Sequence, residues 1–297
     1  MKIAFTSDIH ADISKENCQI VDYLVEELEN INAHVFILGG DISSRLEILG
    51  ATLREFSGLN CHNLFVAGNH DIWIESTSEL KKGMHSGKKY YELIPQICQQ
   101  HDFVYLGLKP FILDNVGFVW SIGWYDYSLR SPHYDTIISK EAYETKEFEE
   151  TIWTDRDFGY WLKGEWNHRF LESYRKTDVQ ICSEMEKAIF SQLAELNDKK
   201  IGRIVVVLHH LPFRELVEYS GDLKWDFFRA FMGSERMGEV IKDNDKVTHV
   251  LCGHSHTKKK VKIGDILAIV SPVGYSNEWD TPDLRKVAQN SISVFEL

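Results

Sequence analysis

Short apolar runs in this chain stop abruptly at clusters of Asp, His, Gly or Asn, and no other feature limits the possible folds so strongly. Residues 2–7 read as a buried strand that runs into Asp8-Ile9-His10. Residues 18–31 carry Ile20, Leu24, Leu28 and Ile31 at a helical spacing. A second strand over 35–38 ends in Gly39-Gly40-Asp41, 46–56 reads as helix, and a third strand over 64–67 ends in Gly68-Asn69-His70-Asp71. Strand, helix, strand, helix, strand is the pattern of crossover units in a parallel sheet, so the class is α/β.

The second half repeats the theme. A strand over 118–122 leads into Gly123-Trp124-Tyr125-Asp126-Tyr127, and 179–196 has a helical period through Ile181, Met185, Ile189 and Leu193. The run over 204–208 ends in His209-His210, and 247–252 ends in Gly253-His254-Ser255-His256. Residues 266–270 and 292–295 read as closing strands, and Lys258-Lys259-Lys260 as a solvated hairpin turn. Between them, 125–180 is rich in aromatic and charged residues, including Trp153, Tyr160, Trp161 and Trp166. With no internal repeat and no Pro/Gly/Ser linker, the expectation is one domain over 1–297 with an insertion at about 125–180. Its aromatic residues either build core or cap a site.

Charge narrows the partners. Lys and Arg number 33 against 45 Asp and Glu, a net −12, which argues against a sequence-independent grip on nucleic acid or an anionic membrane. A small anionic substrate stays open, because a bound metal reverses the local sign. The five cysteines, Cys18, Cys61, Cys98, Cys182 and Cys252, include no Cys-x-x-Cys pair, so neither a disulfide framework nor a thiolate zinc site is expected. The N-terminal segment lacks the apolar core of a signal peptide, and no apolar run nears the ~20 residues that span a bilayer. The expectation is a reduced, cytoplasmic protein.

Asp8 and His10 alternate across an extended segment and so share a side. Neighbouring His209 and His210 point to opposite faces of a strand, so one of them joins a given site. His254-x-His256 presents two imidazoles beside a glycine that allows close approach. Taken singly, each cluster has an ordinary turn composition. Together they place Asp/His, Asp, Asn/His, His and His/His beyond five strand ends, where open α/β sheets build their sites. Two carboxylates, an amide oxygen and several imidazoles suit Mn²⁺, Fe or Zn²⁺, with no all-oxygen cage for Ca²⁺. They exceed the needs of one tetrahedral ion, and two ions sharing a bridging carboxylate would use them all.

Asp8-x-His10, Gly40-Asp41, Gly68-Asn69-His70-Asp71, the His209 strand end and Gly253-His254-x-His256 resemble, in order, the signatures of the calcineurin-like metallophosphoesterase superfamily. The resemblance implies two packed mixed β-sheets flanked by helices, a four-layer sandwich with a dinuclear centre at one edge. It implies that Asp8, His10 and His256 hold one metal, that Asn69, His209 and His254 hold the second, and that Asp41 bridges them. His209 takes precedence over His210 because it directly follows the apolar run. His70 matches the family's general acid, and Asp71 stands where it could orient that region. Arg45 lies four residues after Asp41, similar to a phosphate-contacting arginine of the protein-phosphatase branch. That branch has an acidic residue where this chain has Ser44, so a solvated arginine at a helix start is the competing reading.

The expected activity is metal-dependent hydrolysis of a phosphate mono- or diester, through attack of a metal-bridging hydroxide, on a small molecule. The cofactors would be two divalent ions among Mn, Fe, Zn or Ni, with Mn favoured. Such a pair, about 3.5–4 Å apart, clamps an in-line displacement. A nuclease of the same superfamily is the alternative enzyme, and a non-catalytic scaffold that kept the fold is the alternative from another class. The oligomeric state is not legible.

Overall fold

The computed structural model describes residues 1–105, 109–164, 174–197 and 199–297. Its first sheet is built from β1 (Lys2–Thr6), β2 (Val35–Leu38), β3 (His62–Phe65) and β4 (Phe103–Tyr105), all parallel. The second sheet begins with β5 (Phe111–Leu113) and β6 (Val116–Ser121), and a small hairpin, β7 (Glu147–Phe148) and β8 (Thr151–Ile152), stands apart from both sheets. β9 (Arg203–Leu208), β10 (Val247–Cys252), β11 (Lys259–Ile263) and β12 (Ile266–Val270) complete the second sheet, in the order β11-β12-β10-β9-β6-β5. β13 (Ser293–Glu296) returns antiparallel to β1, with Ile3 opposite Phe295, and closes the first sheet in the order β13-β1-β2-β3-β4. Both sheets are therefore mixed, as expected.

Strand alternation explains how the sheets stack. Ile3, Phe5, Val35, Ile37 and Leu64 share one apolar cluster with Phe118, Trp120, Val205, Val207 and Leu251, which joins the inner faces of the two sheets. The intervening residues, Ala4, Phe36 and Leu38 on one side and Val119, Val206 and Leu208 on the other, face helices. The helix Lys15–Ile31 buries Ile20, Val21, Leu24 and Leu28. It starts three residues before the periodic run because Ser14 caps it, accepting from the Asn17 amide. Asp178–Asn197 buries Ile181, Met185, Ile189 and Leu193 over the second sheet. The result is helix, sheet, sheet, helix.

Two local readings change. Lys259 and Lys260 open the edge strand β11 instead of lying in a turn, and lysines on an edge discourage pairing with another chain. In the aromatic segment, Trp124, Tyr125, Tyr127 and Trp161 are buried core, whereas Trp153 is only half-buried. Trp166 lies outside the described residues. Among the described residues no helix is long and apolar enough to cross a membrane.

Candidate metal centre

Every expected ligand sits just beyond the carboxyl end of a parallel strand: β1, β2, β3, β9 or β10. Backbone bonds stitch these ends together. The Asp8 amide donates to the Gly40 carbonyl at 2.9 Å, His10 to Asp41 at 2.9 Å and Gly253 to His209 at 3.0 Å. Gly274 donates to the Asp8 carbonyl at 3.0 Å, tying the end of the second sheet to the end of the first. The chain leaves the strands sharply: Asp8, His10, Asp41, His254 and His256 all have φ between 50° and 70°. That left-handed conformation is disfavoured for residues with a Cβ and clusters at functional sites. Gly68 is needed for close approach, since a Cβ there would lie 2.1 Å from Asp41 Oδ1.

The side chains form two groups that share Asp41. In the first, His10 Nε2 and His256 Nε2 are 2.9 Å apart. His256 Nε2 is 3.7 Å from Asp8 Oδ1, and His10 Nε2 is 3.8 Å from Asp41 Oδ2. In the second, His209 Nε2 is 3.1 Å from Asn69 Oδ1 and 3.4 Å from Asp41 Oδ1. His254 joins Asp41 and His209 with donor atoms within 4.8 Å of one another. His209 thus faces the cluster, while His210 turns its Nδ1 to the Ile122 carbonyl at 2.9 Å. His70 is stacked on Trp73, ring centroids 3.5 Å apart, with Nε2 3.9 Å from Asp41 Oδ2.

Partners that sequence reasoning did not find hold these donors in place. His209 Nδ1 meets the Gly39 carbonyl at 2.9 Å and His254 Nε2 the Phe231 carbonyl at 3.2 Å, which leaves one nitrogen of each ring for the cluster. His256 Nδ1 is 2.8 Å from Glu278 Oε2. Asn69 Nδ2 donates to buried Asp155 at 3.0 Å, so its oxygen faces His209. Such outer contacts fix ring and amide orientation at metal sites. Asp71 accepts from the amides of Gly68, Asp41, Ile42 and Ser43 at 2.8–3.0 Å, clamping the loop after β2 to the loop after β3. Nothing in the sequence around Asp155 or Glu278 distinguishes them from surface acids. Asp71 carried a signal only through its place in the Gly-Asn-His-Asp run.

The electrostatics suit cations. Burial pushes the pKa values of His10 and His254 well below 6.5, so both rings are neutral near pH 7, the form that can ligate a metal. Burial acts the same way on His209, but contact with Asp41 overcomes it and raises the ring to about 9. Burial raises Asp8, and burial with the nearby Asp41 charge pushes Asp71 up to about 7. Two carboxylates, one amide oxygen and four imidazoles, convergent and all buried but His256, fit a pair of first-row divalent ions.

A cavity of about 260 Å³ opens over the cluster, with Asp41, Asn69 and His70 at its base and Trp73, Trp153 and Phe228 in its walls. Of the aromatic segment 125–180, Trp153 and Thr154 reach this cavity. Arg45 does not: it is exposed ahead of the helix Leu46–Phe56, and Arg229 lines the cavity instead.

A family model described as calcineurin-like phosphoesterase matches residues 1–258. Comparison with curated proteins finds no sequence match. Among solved structures, a phosphopantetheinyl hydrolase from Mycobacterium tuberculosis superposes with a TM-score of 0.71 at 18% identity, covering 96% of this chain and 94% of that one. A dimetal phosphatase from Danio rerio gives 0.52 at 15% identity, covering 91% and 86%. At such identities the likeness concerns the fold alone.

Proposed function

The chain belongs to the calcineurin-like phosphoesterase family, and on that premise we propose that it hydrolyses phosphate esters of small molecules at a centre of two divalent metal ions. The observation that carries this reading is the convergence of seven donors from five strand ends into two groups sharing one carboxylate. Asp8, His10 and His256 would hold one ion, Asn69, His209 and His254 the other, and Asp41 both. Ions so held supply neutralisation of phosphoryl charge and activation of water. With no thiolate in the set, Mn²⁺, Fe, Zn²⁺ and Ni²⁺ are candidates and Mn²⁺ is favoured.

The remaining steps belong to the chain. The cavity orients the ester over the cluster, with its walls excluding water from the alcohol part. His70 lies at the cavity base beside Asp41, placed to deliver a proton to the departing oxygen, the usual task of a positioned imidazole. Burial lowers its pKa while Asp41 and Asp155 oppose the shift. Stacking on Trp73 fixes the ring plane. The test is hydrolysis of p-nitrophenyl phosphate and bis-p-nitrophenyl phosphate with Mn²⁺, Zn²⁺ or Ni²⁺, beside a chelated control and a calorimetric count of bound ions. Two ions per chain with metal-dependent turnover are expected. Fewer than two tight ions, or turnover that survives chelation, would overturn the proposal.

A further inference from the structure

Arg229 is 7% exposed, its Nε has no hydrogen-bond partner, and among the described residues it makes no ion pair. The nearby carboxylate of Asp226 is already engaged, accepting from the Ser220 amide and hydroxyl and from the Gly221 amide. Glu218 lies 3.8 Å from Lys259. A largely buried guanidinium with no direct ion pair is costly, and the group offers five N–H donors in a fork that fits a carboxylate or a phosphate. The guanidinium carbon is 4.5 Å from the ring of Trp225, which is 51% exposed. Trp225 and Arg229 both line the cavity, so this cation stands beside the cavity's exposed rim, whereas Asp41 is buried. The walls of the same cavity include Trp153, 5.7 Å from the His254 ring, and Phe228, 5.6 Å from Trp153.

Resting on the hydrolase reading above, we propose that Arg229 binds a second anionic group of the substrate. The preferred ester then carries its scissile phosphate at the metal cluster and another phosphate or a carboxylate on the alcohol part. An apolar or planar segment joins the two, lying along Trp153 and Phe228. Arg229 is a specificity residue in this scheme, and its fork pairs with the distal anion in bidentate fashion.

A matched set of esters tests it: phenyl phosphate, 4-carboxyphenyl phosphate and benzene-1,4-diyl bisphosphate. The readout is kcat/KM for each two-anion ester divided by that for phenyl phosphate, so that leaving-group differences cancel between wild type and variant. For one of the two esters, Arg229→Gln should lower this ratio about ten- to hundredfold, mostly through KM, as expected for a lost charge-assisted pair. Which ester responds tells phosphate from carboxylate. Arg229→Lys keeps the charge without the fork and should fall between, which also guards against a variant that does not fold. Ratios that both stay within about twofold of wild type overturn the proposal, even if every rate drops together. Binding of 4-phosphonobenzoate against phenylphosphonate by calorimetry gives the same comparison without turnover. If wild type hydrolyses none of the esters but loses its preference for 4-phosphonobenzoate on Arg229→Gln, the hydrolase reading fails and the Arg229 site stands.

Discussion

Asp155→Asn should damage one half of the centre without touching a ligand. The Asp155 carboxylate is buried and accepts four bonds: Oδ1 from Asn69 Nδ2 at 3.0 Å and Trp73 Nε1 at 2.6 Å, Oδ2 from the Tyr125 hydroxyl at 3.0 Å and Trp153 Nε1 at 2.9 Å. An amide keeps one acceptor oxygen. If that oxygen serves Asn69 and Trp73, the new NH₂ meets the Trp153 indole, which can only donate, while Tyr125 can turn its hydroxyl to accept. If it serves Tyr125 and Trp153, the NH₂ meets Trp73, and Asn69 escapes the conflict only by turning its own oxygen away from His209. Either way the N–H of one half-buried indole is orphaned, at about 1–3 kcal/mol, and the bonds that survive lose their charge assistance. The sum is about 2–5 kcal/mol of stability, a large share of a typical reserve. Urea unfolding in chelator should show this loss. Calorimetry with Mn²⁺ should show the ion at Asn69, His209 and His254 bound about 10–100-fold more weakly, with the ion at Asp8, His10 and His256 little changed. A stability loss under about 0.5 kcal/mol with both affinities intact would refute the orienting role of Asp155.

His70→Ala should retain both ions but lower kcat by about 10²–10⁴-fold for phenyl phosphate and much less for p-nitrophenyl phosphate, whose leaving group needs no proton; equal losses would contradict the general-acid assignment. Asp41→Asn should weaken both ions together, and calorimetry that finds one of them unaffected would argue against a shared ligand. Burial raises the thiol pKa of Cys61 to about 11 and of Cys182 to about 12, and also shields Cys98 and Cys252, whereas Cys18 is exposed. Iodoacetamide on the native protein at pH 8 should therefore label Cys18 alone by mass spectrometry, and early labelling of any other thiol would show that its surroundings open. Chelation should leave near-UV circular dichroism nearly unchanged, and a chelator that unfolds the chain would show that the ions build the fold.

The strands that carry the proposed ligands were legible because each combines an apolar run with a sudden polar stop. The run is needed to fill the space between and behind the sheets, and the stop marks where the chain reaches solvent and site. β4 and β5 were not, since three residues each are too few for a period to register. Asp155 and Glu278 escaped for another reason. Their work depends on positions 86 and 22 residues from the side chains they orient, and no local pattern encodes such a distance. The aromatic segment 125–180 was readable as composition but not as geometry: among its described residues, Tyr125, Tyr127 and Trp161 go to the core and Trp153 to the cavity, according to tertiary packing alone. Arg45 shows the converse. Its spacing from Asp41 resembles a known arrangement, yet the helix that starts at Leu46 leaves it exposed, and the cavity takes its arginine from a segment nearly two hundred residues later.

Five of the seven proposed ligands adopt left-handed backbone, at about 1–3 kcal/mol apiece. Such strain persists only when surrounding contacts over-determine it, and here the contacts are specific. Asp8, His10 and Asp41 are each held by backbone bonds across strand ends, and Asp71 gathers four amides from the two loops that carry Asp41 and Asn69. Behind them stand two sheets whose inner faces are filled by Phe5, Ile37, Phe118, Trp120 and Val207. The donors are thus positioned by the protein's own core and amides, unlike a zinc finger, in which metal binding and folding are one event. The sharp exits from the strands set the acids and imidazoles facing one another, and the core supplies the stability that keeps them there. It follows that the abrupt change from apolar run to Asp, His or Asn is the sequence record of that exchange between core stability and site strain.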